Sequence, residues 1–166
     1  MADRIAITGI GIISSLGLNT EENLNALLEK KTGIGQMELL NSVHKEIPVA
    51  EVKKTDQELA HLIGIHGADD YTRTSLLAMI AAQEAWQDAG NPPLEKAGFI
   101  SATTVAGMRT SELHYADFQR GGGKSDFIYT HDAGDSTEKT ADFIGIKEFI
   151  STISTACSSS ANALML

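Results

Sequence analysis

The chain holds one cysteine, Cys157, in the stretch STACSSSANALML. A run that reads as a strand, FISTIS at 149–154, leads into it, and the small residues behind it read as the start of a helix. A side chain at a sharp strand-to-helix turn stands clear at the strand's end, the geometry of a nucleophile elbow. A helix beginning at the sulfur brings a partial positive charge and free N–H groups. These favour thiolate over thiol, and thiolate is the nucleophile. The backbone N–H of Cys157 would supply half of an oxyanion hole for a thioester carbonyl. Ala156, Ser158, Ser159, Ser160 and Ala161 leave room for an acyl chain to pass. A lone cysteine in an Ala/Ser helix is equally a buried packing residue, and spacing alone does not decide between the two.

Other candidate groups carry less chemistry. The five histidines, His44, His61, His66, His114 and His131, read as surface or loop residues. His61 and His66 fit one helix face poorly as metal ligands, so no metal and no cofactor is expected. TGIGIIS at 8–14 follows an apolar run, but Ser14 stands at the third glycine position of a dinucleotide fingerprint and breaks it. GGGK at 121–124 lacks phosphate-loop spacing and reads as a loop.

The elements that must position Cys157 follow from patterning. RIAITGIGII at 4–13 predicts a buried strand ending in a glycine turn. NTEENLNALLEKKTG predicts a helix capped by Asn19 or Thr20, with Glu21 and Glu22 in the first turn and Lys30 and Lys31 in the last. Leu24, Leu27 and Leu28 would form its apolar face and Gly33 its stop. IPVAEV at 47–52 fits a short edge strand; residues 55–70 are mixed and polar. TRTSLLAMIAAQEAWQDAG predicts a helix ending at Gly90, buried between two layers, with Trp86 in the core. AGFISAT at 97–103 and FISTIS at 149–154 predict two further strands. Residues 107–140 between them read as loops and short helices outside the core. Strands separated by helices imply a parallel α/β arrangement.

Bulk properties set limits. The 166 residues, 42% hydrophobic and 21% charged, suit one soluble globular domain. A net charge of −9 disfavours nucleic acid as partner. No stretch approaches the roughly 18 apolar residues of a membrane span, and the N-terminus lacks a signal-peptide pattern. A single cysteine excludes an internal disulfide framework and suits a reducing compartment, so a cytoplasmic protein without membrane contact is expected.

TACSSSANAL resembles the active-site segment of β-ketoacyl–acyl-carrier-protein synthases, condensing enzymes of the thiolase superfamily. IAITGIGIISSLGLNTEENLNALLEKKTGI, AAQEAWQDAG and HDAGDSTEKTADFIGI agree with it in order along nearly the whole chain. The resemblance implies a thiolase-like fold, the N-terminal half of a layered αβαβα architecture with a mixed sheet and buried helices. Residues 1–166 would form one domain truncated within the nucleophile helix, with the C-terminal half absent and Leu164, Met165 and Leu166 left without cover. It implies decarboxylative Claisen condensation. Cys157 takes an acyl group from acyl carrier protein as a thioester; a malonyl thioester on carrier then loses carbon dioxide, and its carbanion attacks. Fatty acid, polyketide and aryl polyene chains all remain open as substrates.

The resemblance aligns Val105 with a position lining the acyl pocket; a strand-end packing role is the alternative. It also sets Ala106, in ATTVAGM, where glycine is common, a departure that bears on acyl length preference. The family's two histidines and its phenylalanine-containing glycine-rich segment lie in motifs like HGTGT and GFGG. Neither occurs in these 166 residues, so the chain alone is expected not to condense acyl chains. The full-length protein is expected to be a homodimer. Two other readings remain: a non-catalytic partner subunit like a chain-length factor, in which the nucleophile is typically replaced, and a thiolase using coenzyme A. The retained Cys157 speaks against the first and HDAGDSTEKTADFIGI against the second.

Overall fold

A computed structural model of the chain describes residues 5–122 and 126–166. In chain order the elements are α1 (Thr20–Leu28), β1 (Ile34–Gly35), β2 (Val49–Ala50), α2 (Asp56–Leu62), α3 (Arg73–Asp88), β3 (Gly98–Ala102), α4 (Met108–Gln119), α5 (Asp126–Tyr129), α6 (Ala133–Ile144), β4 (Phe149–Ile153) and α7 (Ser159–Met165). The class is α/β, as expected. The chain packs as two compact units. One runs up to Ile65 and adds Ile80–Pro92; the other joins His66–Met79 to Pro93–Leu166. Each unit therefore takes one part of α3. Among the described residues, no helix is long and apolar enough to cross a membrane.

In the first unit, Asn19 caps α1 by accepting the Glu22 N–H at 2.8 Å, with Glu21 and Glu22 in the first turn. The helix does not run to Gly33. The Lys31 N–H reaches the Ala26 carbonyl at 2.8 Å and the Lys30 N–H reaches that of Leu27 at 3.0 Å, with Lys30 left-handed at φ 57. This Schellman pair ends α1 before both lysines. The inward side is also not the leucine face: Asn23 and Ala26 are buried, while Leu24, Leu27 and Leu28 are exposed. The Asn23 side chain is turned inward by its hydrogen bonds. Its Nδ2 donates to the Gly17 and Asn19 carbonyls at 2.9 and 2.8 Å, tying the helix to the turn before it.

Residues 5–13 form no sheet strand, contrary to expectation. The segment is bound by a helix instead. The Ile10 N–H donates to Asp88 and the Ile12 N–H to Glu84, each at 2.9 Å, both acceptors on α3. A methyl at Gly9 or Gly11 would collide with the carbonyl oxygen of Ala85 or Ala81, so these glycines let the chain approach the helix. With no strand beside them, Ile5 and Ile7 are 99% and 82% exposed rather than buried. β1 and β2 pair antiparallel, Ile34 opposite Ala50; β2 falls within the 47–52 segment expected as an edge strand, and β1 is a strand that the sequence did not announce. The polar stretch at 55–70 holds a helix, α2, started by a Thr55/Glu58 capping box. Trp86 is half-buried rather than core, and its Nε1 donates to the Pro92 carbonyl at 3.0 Å.

In the second unit, β3 and β4 pair parallel and in register, Gly98 opposite Phe149 and Ala102 opposite Ile153. α6 and α7 pack on both strands. This corrects the reading of 107–140 as lying outside the core, because Thr137 and Thr140 of α6 are fully buried. Thr152 of β4 donates to the Thr137 hydroxyl at 2.8 Å. α4 is a helix of 12 residues, not a short excursion. Of the GGGK loop, Gly123 and Lys124 lie outside the described residues.

Candidate functional site

The second unit places the chemistry-bearing residues at one end of its strand pair. Because β3 and β4 are parallel and end opposite each other, the chain leaves both strands at the same end of the pair. Residues 103–107 lead from β3 to α4, and residues 154–158 lead from β4 to α7. Ligands of open α/β sheets gather at this carboxyl end of the strands.

Each turn contains a left-handed alanine, Ala106 at φ 39 and Ala156 at φ 52. The left-handed region costs an L-residue about 1–2 kcal/mol, so surrounding bonds must hold it. Ala106 is 6% exposed; its N–H donates to the Thr103 hydroxyl at 3.2 Å and its carbonyl accepts from Thr74 Oγ1 at 2.8 Å. A left-handed backbone at Ala106 is one that glycine adopts without strain. The Ala156 carbonyl accepts from Ser159 Oγ at 2.8 Å and from Thr104 Oγ1 at 3.2 Å.

Cys157 follows Ala156 in a short 3-10 turn, Ala156–Ser158, and its side chain is exposed. It is therefore not a buried packing residue. The α-helix begins at Ser159, two residues later than the sequence suggested. The turn is closed by the Ser158 N–H on the Thr155 carbonyl at 3.2 Å and by the Ser159 N–H on the Ala156 carbonyl. Neither bond uses the Cys157 N–H. Around the turn, the Thr155 N–H donates to Ser159 Oγ at 2.9 Å, Ser158 Oγ donates to the Thr155 carbonyl at 2.8 Å, and Asn162 Nδ2 donates to Thr155 Oγ1 at 2.8 Å.

Val105, 60% exposed, is not packed at the strand's end. Its neighbour Thr104 makes the bond to the Ala156 carbonyl, so the structure ties the Val105 turn to the Cys157 turn. The histidines lie elsewhere. His44 faces Glu46 at 3.3 Å, His61 sits on α2, and His114 stacks on Phe127 with ring centroids 4.4 Å apart. Among the described residues, no histidine joins the hydrogen-bond network around Cys157. Sequence reasoning did not single out Thr104, Thr155 or Asn162, nor the hydrogen bonding of Ser159. The run of hydroxyls in STACSSSAN was the available signal, since such side chains bond nearby backbone.

Residues 2–166 match the family model described as beta-ketoacyl synthase, N-terminal domain. Over 120 residues the chain is 29% identical to 3-oxoacyl-[acyl-carrier-protein] synthase 2 of Coxiella burnetii (strain RSA 493 / Nine Mile phase I), covering 68% of this chain and 28% of that protein. The ishigamide ketosynthase/chain length factor superposes with a TM-score of 0.75 at 23% identity, over 91% of this chain and 40% of that one. The type II PKS complex AntDE:AntF, an acyl-carrier protein with its ketosynthase bound to the hexaketide, gives a TM-score of 0.66 at 22% identity, over 95% of this chain and 39% of that one. These solved structures share the fold of this chain. The chain spans less than half the length of each of these relatives.

Proposed function

The chain belongs to the β-ketoacyl synthase family, and from that membership we propose that it carries the acyl-accepting half of a condensing enzyme, with Cys157 as nucleophile. In the first step the Cys157 sulfur attacks the carbonyl carbon of an acyl thioester on acyl carrier protein. The bond to the carrier's sulfur breaks, the carrier leaves as a thiol with the proton from Cys157, and the acyl group stays on Cys157. The Cys157 N–H, left out of both bonds that close its turn, is the donor for the oxyanion. Val105 and Ala156 border the path of the acyl chain. In the second step malonyl-carrier protein loses carbon dioxide, and the carbanion attacks the Cys157 thioester to form a carbon–carbon bond and release the sulfur.

The observation that carries this reading is an exposed thiol at the turn where a parallel strand pair ends. The family's HGTGT and GFGG motifs do not occur in the 166 residues, so this chain alone stops at the acylated Cys157. The full-length protein acts as a cytoplasmic homodimer in fatty acid or polyketide-type synthesis. A chain-length-factor role is the second reading: one solved relative's name joins ketosynthase and chain length factor. The retained cysteine favours the nucleophile.

Intact mass spectrometry after incubation with an acyl-carrier protein thioester, and separately with cerulenin, tests the proposal. One adduct, mapped to Cys157 and lost in Cys157→Ala, is expected. A folded chain that gains no acyl adduct would overturn it.

A further inference from the structure

Resting on the reading of Cys157 as nucleophile, we propose that Ser159 and Thr104 are positioning residues which set the reactivity of the thiol through the Ala156 peptide. An alanine at φ 52 relaxes out of the left-handed region unless its neighbours fix it. Here the fixing falls on one carbonyl oxygen, which accepts both hydroxyls besides the Ser159 N–H that closes the turn. Ser159 Oγ works twice, because it also accepts the Thr155 N–H at 2.9 Å and so brackets Ala156 from both sides. Ser159 is 5% exposed, so water does not readily replace its hydroxyl. Thr104 comes from the turn after β3, 52 positions earlier in the chain. The peptide presenting the sulfur is thus held by its own helix and by the neighbouring strand's turn. The Thr74 hydroxyl on the Ala106 carbonyl is the corresponding device on the other turn and does not touch Ala156.

The test compares rates of Cys157 alkylation by iodoacetamide and of acylation from the carrier thioester in the full 166-residue chain. Cys157 is the only thiol, so both report one atom. Ser159→Ala is expected to slow both about tenfold and Thr104→Val about threefold, the scale of losing one or two hydrogen bonds. Ser159→Thr, which keeps the hydroxyl, restores the rate. The decisive variant is Ala156→Gly with Ser159→Ala: glycine adopts the left-handed turn unaided, so this double variant recovers most of the loss, which a general weakening of the fold would not allow. Wild-type rates in folded Ser159→Ala and Thr104→Val overturn the proposal while leaving the nucleophile reading intact. Should Ser159→Ala not fold, Thr104→Val and Ala156→Gly carry the test. If wild-type Cys157 alkylates but never acylates, the nucleophile reading fails, and unchanged alkylation rates in the variants then sink the clamp as well.

Discussion

Glu84 holds Ile12: its Oε2 accepts the Ile12 N–H at 2.9 Å while its Oε1 accepts the Thr20 N–H at 2.6 Å. One carboxylate on α3 thereby fixes both the extended N-terminal segment and the first residue of α1. Asp88, one helical turn on, takes the Ile10 N–H. Removing Glu84 leaves two amides without their charged acceptor. Hydrogen bonds to charged groups contribute about 1.5–3 kcal/mol each, and part-exposure reduces that. Glu84→Ala is therefore expected to cost about 2 kcal/mol in urea unfolding. Amide exchange at Ile12 and Thr20 should accelerate more than exchange in β3. Unchanged exchange at both amides would refute the assignment.

Lys30 offers a gain in stability. It occupies the left-handed position that closes α1, where α2, α3 and α4 end on Gly64, Gly90 and Gly121. Lys30→Gly removes the Cβ penalty and is expected to stabilise the chain by about 1 kcal/mol, read as a higher Tm. Lys30→Ala keeps the penalty and should leave Tm unchanged.

Glu51 ties down the loop before β2. It accepts the N–H groups of Glu38, Leu39 and Leu40 at 2.9, 3.0 and 2.6 Å. Desolvation pushes its carboxyl up, but those three N–H groups and Lys53 together bring it below the ordinary glutamate value. A folded-state value below the unfolded one, about 4.3, contributes stability above that pH which is lost as pH falls through the folded value. Urea midpoints between pH 7 and pH 3 should thus fall less steeply in Glu51→Gln than in wild type, with the two converging in acid. Parallel curves would count against the loop clasp.

Gly11 and Gly35 make a matched pair. A methyl at Gly11 meets the Ala81 carbonyl, whereas one at Gly35 meets nothing within 4 Å. Gly11→Ala is expected to cost about 2 kcal/mol or more through overpacking, and Gly35→Ala to be neutral or mildly stabilising. Denaturant midpoints for the two variants separate close approach from simple chain flexibility.

What the sequence disclosed tracks where the signals are local. α3 combines a long apolar stretch with Gly90, and both its span and its end are legible. The turn at Cys157 is legible too, from a strand-like run followed by small residues. α2 was hidden because its start is written in polar letters, T-D-Q-E. α6 reads as lying outside the core because three of the four residues on its buried side, Ser136, Thr137, Thr140 and Ala141, carry hydroxyls. Thr140 bonds the Ser136 carbonyl at 2.7 Å and Thr137 bonds that of Ala133 at 3.2 Å, so hydroxyls fill the interior at little cost. The left-handed turn at Ala156 gave no sign, since alanine is not the residue that marks such a backbone. Residues 5–13 misled in the opposite sense: their β-branched pattern is real, but the amides of Ile10 and Ile12 are taken by carboxylates of a helix.

The pairing of β3 with β4 leaves no slack between Phe149 and Ile153. Omitting one residue there would turn Thr152 away from Thr137 and draw the thiol back by a full step along the strand. Length variation is thus admissible ahead of Phe149, in the connection after Gly145, and inadmissible between Phe149 and Cys157. The spacing of that short interval acts as a ruler for where the sulfur stands.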